Sequence, residues 1–253
     1  MATKKVGLQV YSIRDMYFEN PKEAFKLIKD CGYDAVDMFG NITMGAEELK
    51  KLLDDFGLEC CGWHAGWNYV GKPDILEAFA SYNKVIGNKY LIVPGLPGEF
   101  TKNKDTWLDA ANKINGIAAQ LKKHGMFTGM HSHAGEFQPT EGSDELPWDI
   151  LAKNTADDVV LQLDMGNTYA VGPEFEPVAI LKKYPGRYQT IHIKPYSLTK
   201  GMSAPIGEDD IDWAETVKFC NEQGNTEYFI IEYEEADARS GIKKCIDNFK
   251  KYL

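Results

Sequence analysis

The stretch VGLQVYSIRDMYFENPKEAFKLIKDCGYDAVDM, residues 6–38, contains the pattern that decides the fold. It begins with a short apolar run at residues 6–11 and ends with another at residues 35–38. Between them, residues 21–31 place apolar side chains at three- and four-residue spacing, which predicts an amphipathic helix, and Gly32 follows as the expected C-cap. A strand, a helix and a second strand in this order predict a right-handed unit with parallel strands.

The same alternation continues along the whole chain. Short apolar, β-branched or aromatic runs recur eight times, at residues 6–11, 35–38, 58–64, 90–93, 126–131, 159–164, 188–194 and 228–232. Helical spacing separates them, for example at residues 46–56, where Gly57 is the expected C-cap. Eight such units close naturally into a barrel, so we predict an α/β fold, a (β/α)8 TIM barrel, as a single domain over residues 1–253.

An open doubly wound sheet is the alternative fold. It would be favoured by a glycine-rich phosphate-binding turn after the first strand, but YSIRD stands there at residues 11–15.

Composition and charge limit the partners and the cellular location that we expect for this protein. The formal net charge is −10 and no Lys/Arg block stands out, which disfavours nucleic acid as a partner. Five cysteines, none in a CxxC spacing, indicate a reduced compartment. The chain opens without a signal-like apolar region and contains no apolar run of membrane-spanning length, so we expect a cytoplasmic protein without membrane contact; an export signal already removed is the alternative. The oligomeric state, including a homo-oligomer, stays open.

Polar side chains stand where the predicted strands end. The carboxyl ends of the strands in a parallel barrel converge on one face, so these residues are candidates for a site. They are His64, His131 with His133 just beyond, Asp164, His192 with Lys194 just beyond, and Glu232. Only His124, of the five histidines, falls elsewhere.

A mixed histidine and carboxylate set without cysteine suits a divalent metal, and the sequence leaves Mn²⁺, Mg²⁺, Co²⁺ and Zn²⁺ open. Such a metal could polarise adjacent carbonyl and hydroxyl oxygens of a sugar, so that a nearby carboxylate or imidazole can remove the proton from the carbon between them.

These motifs carry a family resemblance over almost the whole chain. MHSHAGEF at residues 130–137 resembles a His-Asn-His-x-x-Glu-Phe segment, and it is followed by LDMGN at 163–167, IHIK at 191–194 and IIEYE at 230–234. In this order the motifs resemble the xylose isomerase-like sugar isomerase and epimerase superfamily, which includes ketose 3-epimerases, inosose dehydratase and a branch of endonuclease IV.

The resemblance implies that Asp164, His192 and Glu232 are metal ligands and that Glu232 also takes part in proton transfer. The fourth ligand is open: related epimerases close strand five with glutamate, where this chain has His131, so Glu136, His131 or His133 could complete the set. We take Glu136 as the fourth ligand and count Glu136 and His131 with Glu232 as catalytic candidates. If none completes the set, the site is a metal-free variant.

A second departure from the family lies in strand two. Relatives usually carry glutamate where this chain has Asp37, and the shorter side chain puts a substrate contact there in doubt.

Substrate binding is expected from side chains at the same face, namely Gln9, His64, Trp67, His133 and Lys194. Each has a simpler interpretation beside it. His64 could be a hydrogen-bonded structural histidine and Trp67 a core residue. Lys194 could be a solvated surface charge, and Asp164 could cap a turn through its own backbone.

The leading hypothesis is a metal-dependent isomerase or epimerase that acts on a sugar or keto-sugar through an enediolate. A dehydratase or lyase acting on a cyclitol or 3-keto-glycoside uses the same proton abstraction and is the main alternative. A non-catalytic carbohydrate-binding barrel is a third hypothesis. An abasic-site endonuclease is a fourth, disfavoured by the acidic charge and by too few histidines for a trinuclear zinc site. The partner is therefore a small sugar or polyol.

Overall fold

Apolar strands alternate with amphipathic helices throughout residues 4–253, which the computed structural model describes; residues 1–3, where the expectation about a signal segment begins, lie outside the described residues. The strands are β1 (Lys5–Gln9), β2 (Ala35–Phe39), β3 (Glu59–His64), β4 (Tyr90–Val93), β5 (Phe127–His131), β6 (Val160–Gln162), β7 (Thr190–Ile193) and β8 (Tyr228–Ile231). They form a nearly closed parallel barrel with helices between the strands, which confirms the predicted TIM barrel.

The helices follow the order expected of such a barrel. They are α1 (Arg14–Glu19), α2 (Pro21–Cys31), α3 (Ala46–Phe56), α4 (Trp67–Val70), α5 (Pro73–Val85), α6 (Lys104–Leu121), α7 (Pro147–Asn154), α8 (Met165–Tyr169), α9 (Pro177–Leu181), α10 (Trp213–Glu222) and α11 (Ala238–Phe249). Within residues 4–253, no helix combines the length and the apolar character needed to cross a membrane.

Helix ends were predictable from local chemistry. Asn20 accepts a hydrogen bond from the backbone of Glu23 and so caps the start of α2, whose first residue is Pro21. Gly32 and Gly57 end α2 and α3 in the left-handed conformation, with φ of 96° and 61°, as the sequence predicts.

Neighbouring strands pair in the order β6-β5-β4-β3-β2-β1-β8-β7. The remaining gap, between β6 and β7, is bridged just beyond the end of β6, where Asp164 pairs with His192. The backbone N–H of His192 donates to the carbonyl of Leu163 over 3.0 Å. The closure of the barrel thus brings two of the candidate metal ligands together.

The barrel interior changes from apolar to polar toward the carboxyl ends of the strands. Ala35, Val160 and Ile230 belong to small buried apolar clusters apart from the main core. Because side chains alternate along a strand, the residues two positions later point the same way. These residues are Asp37, Gln162 and Glu232, and all three are buried. The interior of the barrel therefore contains a layer of buried polar side chains next to a layer of apolar ones, with the polar layer nearer the carboxyl ends of the strands.

A glycine in β5 allows β5 and β6 to approach closely. A Cβ atom at Gly129 would lie 2.1 Å from the carbonyl oxygen of Val160 and 2.6 Å from its Cβ.

We expect Gly129→Ala to lower the free energy of unfolding by about 3 kcal/mol, since the backbone itself would have to move. Urea unfolding is the measurement. Gly116→Ala, in α6, is the control, because a Cβ atom there would meet no described atom within 4 Å outside the adjoining backbone of the same helix; this variant should be neutral or stabilising. Equal stability of the two variants would contradict the prediction.

Candidate active site

Four predicted side chains meet at the carboxyl end of the barrel. His131, Asp164, His192 and Glu232 each offer one ligand atom, and these atoms all lie within 4.8 Å of one another. All four residues are buried. We call these four residues the cluster. They form a group that could hold a metal ion.

Distances within the cluster show how its atoms face one another. Asp164 Oδ2 lies 3.9 Å from His131 Nε2 and 3.8 Å from His192 Nδ1. Glu232 Oε2 lies 2.7 Å from His192 Nδ1. Two imidazoles and two carboxylates therefore converge on one small volume.

Asp164 combines a structural and a site role. Its Oδ1 accepts a hydrogen bond of 2.7 Å from the backbone of Asn167 and caps α8, as the simpler interpretation of this residue anticipated. Its Oδ2 is buried and has no hydrogen-bond partner among the described residues. Burial raises the pKa of the Asp164 carboxyl group. Burying a carboxylate oxygen without a hydrogen-bond partner destabilises the fold, and a cation bound to that oxygen would offset this loss.

Glu232 is held ionised by its neighbours. Burial by itself opposes ionisation, but the Lys194 ammonium and the hydrogen bond from His192 outweigh it and hold the pKa of Glu232 well below its usual range. Lys194 Nζ donates to Glu232 Oε1 over 2.8 Å and to Glu234 Oε1 over 2.6 Å. The carboxylate is therefore both charged and fixed in position.

The two imidazoles of the cluster differ in protonation. Burial lowers the pKa of His192, but hydrogen bonds to Asp37 and Glu232 outweigh burial and raise that pKa to about 9. Burial and the neighbouring His192 hold the pKa of His131 well below its usual value. His131 is therefore neutral, the form in which imidazole binds metal.

A cavity of about 490 Å³, a size typical of small-molecule sites, opens above the cluster. His131 and Glu232 line it, whereas Asp164 and His192 are fully buried. Its lining consists of Gln9, Tyr11, Phe39, Gly40, His64, Pro94, His131, His133, Asn167, Lys194, Glu232 and Glu234. The rings of Tyr11 and Phe39 meet edge to face, with centroids 5.1 Å apart, and give the cavity an aromatic wall.

Comparison with known proteins identifies the family. The sequence model of a family described as xylose isomerase-like TIM barrel matches residues 25–252. The chain belongs to the xylose isomerase-like TIM barrel family.

Several proteins similar to this chain in sequence or structure carry the names of sugar or polyol enzymes. An inosose dehydratase of Clostridium perfringens (strain 13 / Type A) is 23% identical over 259 aligned positions, which cover 88% of this chain and 85% of that protein. A sugar phosphate isomerase/epimerase from Parabacteroides distasonis ATCC 8503 superposes with a TM-score of 0.83 at 21% identity, covering 98% of this chain and 93% of that one. An IOLI protein with a bound zinc atom superposes with a TM-score of 0.72 at 16% identity, covering 98% and 96%.

Four of the five residues predicted to bind substrate line the cavity of this family member: Gln9, His64, His133 and Lys194. Trp67 does not line it. This residue opens α4, one turn beyond β3, and its ring packs against Phe100 with centroids 5.2 Å apart.

Glu136, the residue taken as fourth ligand from sequence, is not brought to the cluster. Its Oε2 accepts a hydrogen bond of 2.7 Å from the backbone of His133, and burial raises the pKa of its carboxyl group. It lines a separate cavity beside Thr101 and Trp107. His131, the residue at the place of the family's glutamate, completes the cluster instead.

Sequence reasoning missed three side chains of this site, Tyr11, Phe39 and Gln162, and considered Asp37 only as a doubtful substrate contact. Tyr11 and Phe39 form the aromatic wall, while Asp37 and Gln162 lie beneath the cluster and bond its imidazoles. Asp37 and Phe39 follow the period-two pattern of β2, and Gln162 interrupts the apolar β6. A polar residue inside a buried strand is the signal that could have found Gln162 and pointed to a role for Asp37 in the site.

Proposed function

We propose that this protein is a metal-dependent sugar or keto-sugar isomerase or epimerase that removes a proton from a carbon next to a carbonyl. One observation carries the proposal: Glu232, ionised and fixed by Lys194, lines a cavity of sugar size directly beside three further ligand-type side chains. A charged carboxylate at the wall of a small cavity is suited to general base catalysis.

The side chains beside Glu232 fit a divalent cation. The orphaned Oδ2 of Asp164 faces one nitrogen each of His131 and His192 at distances of 3.9 and 3.8 Å. We therefore propose His131, Asp164, His192 and Glu232 as the ligand set, without assigning which divalent metal binds. A bound divalent cation would polarise the carbonyl and hydroxyl oxygens of the substrate and lower the cost of forming the enediolate.

Proton removal and substrate binding are assigned to residues of the chain itself. Glu232 accepts the proton, and Lys194 keeps that carboxylate ionised and stationary. Gln9, His64 and His133 offer hydrogen-bonding groups to hydroxyls of the bound polyol. The wall of Tyr11 and Phe39 offers an apolar surface to the C–H face of a sugar ring.

A dehydratase is the second candidate, favoured by the relatives that carry the name inosose dehydratase. It would use the same proton removal by Glu232, after which the C–O bond on the neighbouring carbon breaks, a C=C bond forms, and the departing hydroxide takes up the proton from Glu232 and leaves as water. The two candidates therefore share a first step and differ in the product.

Solvent exchange tests the shared first step. Purified protein loaded with Mn²⁺, Co²⁺, Mg²⁺ or Zn²⁺ is incubated in D₂O with a panel of ketoses, 3-keto-sugars and inososes, and deuterium incorporation is followed by NMR. We expect incorporation next to the carbonyl of at least one compound, lost after chelation of the metal. An isomer or epimer as product supports the leading candidate, and an unsaturated ketone absorbing in the ultraviolet supports the dehydratase. Sugar binding without any exchange would overturn both and leave a carbohydrate-binding barrel.

A further inference from the structure

Each imidazole of the cluster is held from inside the barrel by an acceptor oxygen. His192 Nε2 lies 3.1 Å from Asp37 Oδ2, and His131 Nδ1 lies 3.0 Å from Gln162 Oε1. A neutral imidazole carries its proton on one nitrogen only, so an acceptor at one nitrogen leaves the lone pair on the other. The nitrogens turned away from these two acceptors are His192 Nδ1 and His131 Nε2, and both face Asp164. His192 Nδ1 lies 2.7 Å from Glu232 Oε2, and a cation bound by both residues would displace the proton that they share.

Asp37 is an unusual residue to find at this depth. Its side chain is 0% exposed, and its Oδ1 has no hydrogen-bond partner among the described residues. Its Oδ2 accepts from Gln9 Nε2 and from His192 Nε2, each over 3.1 Å. Burying a carboxylate in this way is costly for the fold alone. The hydrogen bond from His192 indicates that this buried carboxylate serves the site rather than the fold.

The backbone makes room for this carboxylate. The pairing of β2 with β3 shifts register between Val36 and Asp37, which sets Asp37 opposite Gly62. A Cβ atom at Gly62 would lie 2.5 Å from Asp37 Oδ1, so only glycine leaves the side chain this position. Such irregularities often redirect a side chain next to an active site.

Gln162 plays the corresponding part for His131. Its Oε1 lies 2.7 Å from His64 Nε2 and 3.0 Å from His131 Nδ1, while its Nε2 donates to Thr190 Oγ1 over 2.9 Å. Distances of this size are typical of N–H groups donating to oxygen. The amide oxygen therefore receives both imidazole protons, and Thr190 holds the amide in that orientation.

We propose that Asp37 and Gln162 are positioning residues that set the tautomers of His192 and His131, so that Nδ1 of the first and Nε2 of the second both offer lone pairs to one cation. The inference rests on the proposed metal site and adds to it the groups that prepare its two nitrogen ligands. Such partners of metal-bound histidines typically contribute 10- to 100-fold to metal affinity.

Zinc affinity tests the role of Asp37 without any assay of catalysis. Competition with a chromophoric chelator measures the dissociation constant of Zn²⁺ for the full-length protein and its variants. Asp37→Ala removes the acceptor and should weaken binding roughly 30- to 100-fold. Asp37→Asn keeps a carbonyl oxygen where Gln9 and His192 donate, so its loss should stay below about tenfold. Asp34→Ala, which removes an exposed carboxylate that accepts a hydrogen bond from the backbone of Val6 and lies outside the cluster, is the matched control and should bind like the unaltered chain.

Two results would overturn the role of Asp37. Unchanged zinc affinity in Asp37→Ala would show that the carboxylate does not prepare the site. Equal losses in Asp37→Ala and Asp37→Asn would show that charge, not hydrogen bonding, is responsible. If the unaltered chain bound none of Zn²⁺, Mn²⁺, Co²⁺ and Mg²⁺, the proposed metal-dependent function would fail as well, whereas either of the other results leaves that function standing.

Gln162 is tested in parallel, with nitrogen NMR as a direct readout. Gln162→Leu should weaken zinc binding about tenfold or more, and Gln162→Glu, which keeps an acceptor oxygen, should restore most of the loss. Gln189→Leu, another buried glutamine at the far end of the barrel, is the control. In the zinc-loaded unaltered protein, long-range ¹H–¹⁵N spectra should show His131 protonated on Nδ1 and His192 on Nε2. The opposite protonation of either ring would overturn the proposal even if a variant failed to fold.

Discussion

Replacing Glu232 with Gln is expected to lower the rate of substrate proton exchange about 10³-fold, because glutamine keeps the shape of the side chain but cannot accept a proton at neutral pH. This corresponds to about 4 kcal/mol in the activation free energy. The fold should survive, since Lys194 keeps its 2.6 Å ion pair with Glu234. Deuterium incorporation under saturating substrate and metal is the measurement, with circular dichroism to verify folding.

The control for this variant lies at the other end of the same strand. Glu227 immediately precedes β8 and forms an exposed ion pair with Lys89. Glu227→Gln changes the same chemical group at the amino end of the barrel and should exchange deuterium like the unaltered chain. If Glu232→Gln kept more than about a tenth of the exchange rate, the proton acceptor would have to be another residue.

The fold was predictable because its signals are local. Apolar runs of strand length and helical spacing between them depend only on neighbouring residues, and the structure has a strand in each of the eight predicted runs. The predicted and the observed strands differ in where they end. The run at residues 159–164 predicts a strand of six residues, but β6 covers only Val160–Gln162, since Asp164 turns away to cap α8. A residue that can cap a helix ends the strand that leads to it.

The candidate site was predictable where it follows from strand ends alone. Asp164, His192 and Glu232 stand within two residues of the ends of β6, β7 and β8, and barrel geometry brings such residues together whatever the loops do. Glu136 lies five residues beyond the end of β5, in a short 3-10 helix. The direction of a side chain there depends on how that turn is capped, which the sequence pattern does not specify.

The groups beneath the cluster depend on barrel register. Asp37 meets His192, which is 155 positions away in the chain, only because the barrel brings both side chains into one interior and because the pairing of β2 with β3 shifts register beside Gly62. Nothing in the local sequence of either strand specifies that contact. Contacts across a closed barrel therefore had to come from the structure, although the buried polar residues that make them are visible in the sequence.

Asp164→Asn is expected to abolish metal binding while leaving the metal-free protein as stable as before, or more stable. The amide can keep the cap on α8, because its oxygen can still accept from the backbone of Asn167. Its NH₂ group would then take the place of Oδ2, between His131 and His192, and an NH₂ group offers no lone pair to a cation. Replacing Oδ2, a buried carboxylate oxygen with no hydrogen-bond partner among the described residues, removes a cost to the fold.

Thermal unfolding with and without Zn²⁺ separates these two effects. At a free zinc concentration 100 times the dissociation constant, the unaltered chain should gain about 2.7 kcal/mol, and Asp164→Asn should gain nothing. Asp209→Asn is the matched control, since that carboxylate is satisfied by Trp213 and the backbone of Gly207 and lies outside the cluster; it should respond to zinc like the unaltered chain. A full zinc response in Asp164→Asn would mean that the cation binds elsewhere, whereas a fall in the stability of the metal-free variant would mean that Oδ2 supports the fold without a metal.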